Sequence, residues 1–457
     1  MQEATNLVET LIMRAEYAPE NIAFSYLDDQ CNVVSQLSNQ QLHIRAAAVA
    51  GRLQQIISPS DRVLLLFPQG VEFIYAFMGA MYSGAIPVTT APPLGDTRHS
   101  GDQLSHIRNI IEKANINIVL TSASIFDDVV QYFFNSKTLS KKVFLSVEDI
   151  ASDLIAHWSM PLIKSHNIAY LQRTSAKKGI PNIVMISHDN IRNVHKCIER
   201  QYKLTVSSRS MNWLPHYHYL GLVFGILQPL YCGYKGYMFS LFDFYKNPHG
   251  WLNAITRYDI TFSGAPNFAY GMCIDQSLDS RQNLNLSKWN TAYNSGEPIK
   301  KETMNGFFEK FRHCGLKKTA LKPVYGLAES PYVASVKNQS SDEKLKTISS
   351  GLAVIDAQVV IVVPGTRIRS NDMETGEILV SSQCNAMGYW NKPEETEKSF
   401  NIYLEDSGDG PYLSTGDLGF IKKGEVYVVG RLKDDGFADY SPENIPPEQL
   451  VNEKITN

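Results

Sequence analysis

Residues 38 to 131 switch repeatedly between two hydrophobic periods, and this alternation limits the possible folds more than any single motif does. Ser38 followed by Gln41 has the form of a capping box, and Leu42, Ala46, Val49, Leu53 and Ile56 then recur at three- and four-residue steps, which predicts a helix. Val63 to Phe67 is a short unbroken apolar run, as expected of a strand buried on both faces. A helix over Val71–Tyr82, a strand over Ala85–Val88, a more polar helix over Leu104–Ala114 and a strand over Ile116–Leu120 follow. Strands that alternate with helices build parallel sheets with helices on both faces.

A second set of strands begins at Asn167. Asn167–Thr174 and Ile183–Ile186 read as a strand and its return, and Met211–Leu214 as another strand ahead of an apolar helix, Gly221–Leu230. Tyr237–Ser240, Thr261–Gly264 and Thr291–Asn294 read as further strand ends. Beyond about residue 333 the pattern becomes short strands at Ala357–Val363, Gly376–Ser381 and Val426–Arg431, separated by turns. The expected fold class is α/β: two αβα subdomains with mostly parallel sheets, plus a small β-barrel-like subdomain. The divisions fall at 1–165, 166–332 and 333–434, with 435–457 a Pro-, Asn- and acid-rich C-terminal tail.

Composition excludes several roles. At 44% apolar and 19% charged the chain is globular in character, and a net charge of -3 offers no basic footprint for nucleic acid. The six cysteines lie at 31, 197, 232, 273, 314 and 384, without a Cys-x-x-Cys pair. Neither a zinc ribbon nor a redox pair is indicated, and reduced thiols of a cytoplasmic protein are expected. No stretch approaches the roughly 18 apolar residues that a membrane span needs.

The chemistry-bearing motifs cluster at predicted strand ends, where open α/β sheets bind ligands. In LQRTSAKKGIPNIVMISHDN, residues 171–190, Thr174, Ser175, Gly179 and Pro181 punctuate a loop with the rhythm of a phosphate cradle but few of its glycines. NWLPHYHYLGL places His216 and His218 just after a strand and before an apolar helix; these read as structural or surface groups, or as a zinc pair for which no third ligand appears at useful spacing. AYNSGEPI exposes backbone at Asn294, Ser295 and Gly296. VYGLAES brings together Tyr325, Gly326 and Glu329; the aromatic ring can stack on a base and the carboxylate can hold Mg²⁺, or the stretch is a helix start with a surface glutamate. Asp417 in YLSTGDLGF can accept from a ribose diol, or is an ordinary turn aspartate. Arg431 ends a strand in GRLKDDG.

Taken in order, these blocks resemble the adenylate-forming superfamily and, within it, the fatty acyl-AMP ligases. LPHYH, SGAPNFAYGMC, AYNSGEP, YGLAES, GYWNKPEET, STGDLGF and GRLKD carry the resemblance from near the N-terminus to about residue 434. It implies the N-terminal body of that fold. The implied reaction is attack of a fatty carboxylate on the α-phosphorus of ATP, giving acyl-AMP and pyrophosphate. By the same resemblance Tyr325 and Gly326 face adenine, with Asn294, Ser295 and Gly296 at its border. Asp417 binds the ribose hydroxyls and Arg431 contacts ribose or phosphate. Thr174 and Glu329 serve Mg²⁺ and the phosphates, Ser175 and Gly179 belong to the loop, and His218 positions the carboxylate. Gly221–Leu230 and the Phe268-Ala269-Tyr270 turn line an acyl tunnel. An acyl carrier protein, a polyketide synthase or an active homologue is the implied partner.

The sequence also departs from the family pattern. The family loop reads approximately T-S-G-S-T-G-x-P-K-G, and here Ala176, Lys177, Lys178, Asn182 and Ile183 replace glycine, serine, threonine, lysine and glycine. Loss of one well-placed transition-state donor costs on the order of 3 kcal/mol, or ~10² in rate. Tyr219 stands where an aspartate follows the second histidine, and the 335–351 stretch is short where fatty acyl-AMP ligases carry an insertion. The mobile C-terminal domain of the family is not continued after Lys433-Asp434. Three readings follow: an acyl-AMP ligase with a rebuilt loop, a non-catalytic body that keeps adenosine or acyl-chain binding and works through a protein partner, or a different acid or nucleotide chemistry on the same fold.

Overall fold

A computed structural model describes residues 4–93, 101–134, 141–174, 182–277, 283–336 and 347–432. Ser175, Gly179 and the 435–457 tail lie outside the described residues. The described chain forms two sheets, one of six strands and one of thirteen, flanked by helices.

The helix Asn39–Gln54 starts where the sequence places it. Ser38 Oγ accepts from the Gln41 backbone, and the Gln41 side chain accepts from the Ser38 N–H. The next strand, Arg62–Leu66, is hydrogen-bonded in parallel to Ile86–Thr89 on one side and Ile118–Thr121 on the other, which is why its apolar residues run without a polar break. Val143–Ser146 adds one edge of this sheet. At the other edge Ile168–Arg173 and Ile183–Ser187 pair antiparallel, so residues 174–182 are the connection of a hairpin.

The thirteen-stranded sheet begins with the antiparallel pair Val33–Ser38 and Ile22–Leu27. Lys235–Met238, Arg209–Asn212, Phe262–Ala265, Thr291–Asn294 and Leu321–Leu327 continue it in parallel. Phe24 sits opposite Gly236, where a Cβ would come within 2.8 Å of the Phe24 ring, so a glycine makes room for this edge pairing. Beyond Leu321–Leu327 the pairing turns antiparallel through Ser330–Ser335, Gly351–Ala353, Glu425–Arg431, Leu413–Lys422, Gly376–Ser381 and Gln358–Val362.

The α/β class and the parallel core follow the sequence expectation. The β-rich stretch extends the large sheet, and no barrel closure occurs among the described residues. Strand pairing also interleaves the segments proposed from sequence. The hairpin at residues 22–38 joins the large sheet, while Ile168–Arg173 and Ile183–Ser187 complete the small one.

Two local forms differ from the sequence expectation. The apolar helix after His218 is wide: Leu220–Leu227 is a π-helix that passes into the α-helix Gln228–Cys232. Gly221 and Gly225 lie so close to the Pro215 carbonyl and the Asn212 side chain that a Cβ would meet them at 2.1 and 2.2 Å, which ties this helix against the preceding strand end. Phe268-Ala269-Tyr270 is helical rather than a turn, within Asn267–Asp275. Pro266 caps that helix without a side-chain bond of its own, and Glu297 accepts from the Phe268 N–H instead. No described helix is long and apolar enough to cross a membrane.

Candidate active site

The carboxyl ends of the parallel strands bring distant motifs together. Thr291–Asn294 pairs with Phe262–Ala265 and with Leu321–Leu327, so Asn294 lies opposite both Ala265 and Pro323. Gly296 follows at φ +93°, a conformation open to glycine at little cost. The Asn294 amide nitrogen is held by Asn267 Oδ1 at 3.3 Å and Met304 Sδ at 3.2 Å, and its buried Oδ1 has no partner among the described residues. Tyr219 is buried and donates from its hydroxyl to the Gly326 carbonyl at 2.8 Å. Here the residue in the aspartate's place ties the His218 segment to the adenine-side motif. A Cβ on Gly326 would lie 2.3 Å from the Pro331 carbonyl oxygen, so no larger residue fits there.

Three residues assigned to the nucleotide form one buried cluster. Asp417 and Arg431 are register partners on adjacent antiparallel strands, and Arg431 Nε donates to Asp417 Oδ1 at 2.7 Å. Tyr325 donates from its hydroxyl to Asp417 Oδ2, also at 2.7 Å, while its ring belongs to a core cluster with Val333 and Ile378. Asp417 is only 2% exposed. Burial raises its pKa, against the opposing pull of Arg431 and of the Tyr325 hydroxyl.

Glu329 occupies the tight turn between Leu321–Leu327 and Ser330–Ser335, not a helix start. Its Oε1 accepts from the Tyr389 hydroxyl at 3.0 Å, and burial raises its pKa. Tyr389 in turn bridges to Val184 on the strand that returns from the 174–182 connection. Backbone bonds from Met185 to Gly388, from Met387 to Met185 and from Trp390 to Ile183 fasten the same segment. GYWNKPEET therefore clamps the loop-bearing hairpin on one side and Glu329 on the other.

The two ends of the 174–182 connection are pinned to each other. The Thr174 N–H donates to the Asn182 carbonyl at 2.9 Å, and the Asn182 N–H donates to Thr174 Oγ1 at 3.1 Å. Lys392 Nζ then donates to Asn182 Oδ1 at 2.9 Å while lying 3.3 Å from Glu395. A cation thus reaches position 182 from another segment. Sequence reasoning missed Lys392 and Tyr389; the only signal was their membership of the GYWNKPEET block.

His216 and His218 differ in their surroundings. His216 stacks on Phe73 at 3.9 Å and is buried, a structural placement. His218 Nδ1 accepts from the Leu220 N–H at 3.2 Å. Burial first, and then the nearby Arg173 guanidinium, lower its pKa to about 3, so its imidazole is neutral at neutral pH.

Residues 13–390 match the family described as AMP-binding enzyme. Among known proteins, the chain is 35% identical over 462 residues to the medium-chain-fatty-acid–[acyl-carrier-protein] ligase JamA of Moorena producens, covering 94% of this chain and 77% of that protein. It is 30% identical over 451 residues to the long-chain-fatty-acid–AMP ligase FadD23 of Mycobacterium tuberculosis, covering 91% and 76%. In three dimensions it superposes on a fatty acyl-adenylate ligase from L. pneumophila, solved with acyl adenylate and pyrophosphate, with a TM-score of 0.87 and 34% identity over 94% of this chain and 78% of that one. The chain belongs to the AMP-binding, adenylate-forming enzymes. Within them it is fatty acyl-AMP ligase-like, and its relatives are fatty-acid ligases.

Proposed function

We propose that this protein activates a fatty acid with ATP, forming acyl-AMP and releasing pyrophosphate, for transfer to an acyl carrier protein. The observation that carries this reading is the Tyr325–Asp417–Arg431 cluster, a buried carboxylate set beside an aromatic residue and a guanidinium in a chain of this family. Asp417 takes the ribose hydroxyls, Arg431 the ribose or phosphate, and Tyr325 and Gly326 the adenine, with Asn294, Ser295 and Gly296 at its border. His218, neutral and beside the wide apolar helix, orients the fatty carboxylate. The medium-chain and acyl-carrier-protein chemistry of one relative and the long-chain chemistry of another support a fatty acid as substrate.

Mg²⁺ fits this arrangement in the usual manner of that ion, through one or two protein oxygens with phosphate and water completing the shell. Glu329 has a second carboxylate oxygen beyond the one bonded to Tyr389, and Thr174 Oγ1 accepts from the Asn182 N–H. Bound there, the ion would neutralise phosphate charge as pyrophosphate leaves.

A second reading, a binding body without turnover, is favoured by one observation: Asn182 stands in place of the family lysine. Fatty-acid-dependent exchange of labelled pyrophosphate into ATP separates the two. Exchange with the purified chain is the expected result. Its absence, together with retained binding of a non-hydrolysable acyl-AMP mimic, would establish the binding body instead.

A further inference from the structure

Five described arginines are not exposed: Arg14, Arg52, Arg62, Arg173 and Arg431. Four of these guanidinium groups have partners. Arg14 donates to the Tyr231 carbonyl at 2.6 Å, Arg52 to Gln55 at 3.0 Å, Arg62 to the Ala114 carbonyl at 2.7 Å and Arg431 to Asp417 at 2.7 Å. The fifth, Arg173, has neither a hydrogen bond nor an ion pair from its side chain among the described residues. Arg173 is half-buried, so its guanidinium is partly withdrawn from water with no counter-charge among the described residues, and burial lowers its pKa; charged groups so placed are normally paired.

The position of Arg173 is specific. It ends the strand Ile168–Arg173, opposite Ile183, and precedes Thr174, the first pinned end of the 174–182 connection. Gln172 fixes this strand end against the histidine segment, its amide nitrogen lying 3.0 Å from the Tyr217 carbonyl and 3.3 Å from the Arg173 carbonyl. The guanidinium acts electrostatically on Tyr217 and His218 and on no described carboxylate. Among the described residues, a cation without a counter-charge therefore ends the hairpin strand within electrostatic reach of His218.

We propose that Arg173 is an oxyanion anchor, its guanidinium fork gripping the carboxylate of the acyl substrate or the phosphate oxygens of the nucleotide beside His218. The planar fork suits either group, because both present two oxygens at matching spacing. The identity of the ligand rests on the adenylate-forming reading above; the unpaired guanidinium does not. Nothing in the resemblance assigns this position a role, and the residue lies outside the loop whose glycines are replaced.

Calorimetric titration of the whole chain and of its Arg173→Gln and Arg173→Lys variants tests this, with decanoate, AMP, ATP and inorganic pyrophosphate as separate probes. Arg173→Gln should weaken at least one probe tenfold or more, and Arg173→Lys should recover part of that loss. The melting temperature without ligand should stay level or rise, since an unpaired charge has been removed. Loss confined to decanoate identifies the carboxylate, and loss confined to ATP and pyrophosphate identifies the phosphates. If the wild type binds these probes and Arg173→Gln binds them all within twofold, the anchor is refuted and the ligase reading stands. If pyrophosphate binds through Arg173 but neither nucleotide nor acid binds, the ligase reading falls and the anchor stands. A wild type that binds none of the four overturns both.

Discussion

The two ends of the candidate site are built on opposite principles. At the adenosine end the charged groups are paired with each other: Asp417 is bonded to both Tyr325 and Arg431. At the phosphate end the protein supplies charge without closing it. Arg173 has no side-chain partner among the described residues, and Lys392 divides itself between an amide and a partly exposed glutamate. A pre-paired cluster holds its shape before a ligand arrives, so ligand groups must add to bonds already made. An unpaired cation gains its partner only when an anion binds. The first end is organised for position and the second for charge.

The largest effect expected from this contrast is at Asp417. Asp417→Ala leaves Arg431 and the Tyr325 hydroxyl without their shared acceptor in a buried setting, and breaking such a pair costs about 3–5 kcal/mol. Denaturant unfolding should show that loss, and AMP binding should fall with it. Asp417→Asn keeps an acceptor for Tyr325 and should cost less. Equal stability of all three proteins would break the claim that this end is pre-paired.

A smaller loss is expected from Gly326→Ala. Its Cβ would meet the Pro331 carbonyl at 2.3 Å, and forced overpacking costs about 1–3 kcal/mol. Because Tyr219 bonds to the Gly326 carbonyl, the displacement should reach the His218 segment. Decanoate affinity should fall as well as stability; a change in melting temperature with unchanged affinity for the acid would show that Tyr219 does not couple the two motifs.

Much of this arrangement was legible in the sequence, and the reason is local. The Ser38–Gln41 cap, the Val71–Tyr82 helix and the Thr291–Asn294 strand follow from periodicity and short-range bonds, and the structure places them at those residues. The Asp417, Tyr325 and Arg431 motifs were each ambiguous alone, since a turn aspartate and a ribose ligand look the same in one dimension. Only strand pairing across 92 residues of chain brings Tyr325 to Asp417. The clamp by GYWNKPEET, the reach of Lys392 over 210 residues to Asn182 and the lack of a counter-charge for Arg173 among the described residues leave no periodic trace. The π-helix was hidden for a different reason: an apolar run with two glycines fits an ordinary helix equally well until the Pro215 carbonyl and Asn212 are seen pressing on them.

Lys392 sharpens the comparison at the phosphate end. Asn182→Lys restores the family residue in sequence, yet it sets a second ammonium beside Lys392, whose Nζ lies 2.9 Å from the Asn182 amide oxygen. The single variant should therefore gain little affinity for ATP. Asn182→Lys with Lys392→Gln should bind ATP at least as well as wild type, and Lys392→Met alone should weaken ATP by about tenfold, or 1.4 kcal/mol, with AMP little changed. An unaltered ratio of ATP to AMP affinity in Lys392→Met would show that this lysine only braces the hairpin.

The last effect is at His218, and its sign follows first from burial and then from the nearby Arg173 guanidinium. Burial and Arg173 both disfavour the imidazolium, so the folded pKa of about 3 lies below the ordinary 6.5. A depressed pKa contributes stability that is present above the unfolded value and is lost as pH falls from about 6.5 toward 3, at no more than about 1.4 kcal/mol per pH unit. Arg173→Gln removes the repulsion but not the burial. The pKa should rise yet stay below 6.5, shifting the lower limit of that window upward. Following the His218 ring proton resonance by NMR against pH in both proteins measures this directly. A resonance that titrates identically in the two would place the Arg173 guanidinium too far from His218 for the anchor and the histidine to share one oxyanion.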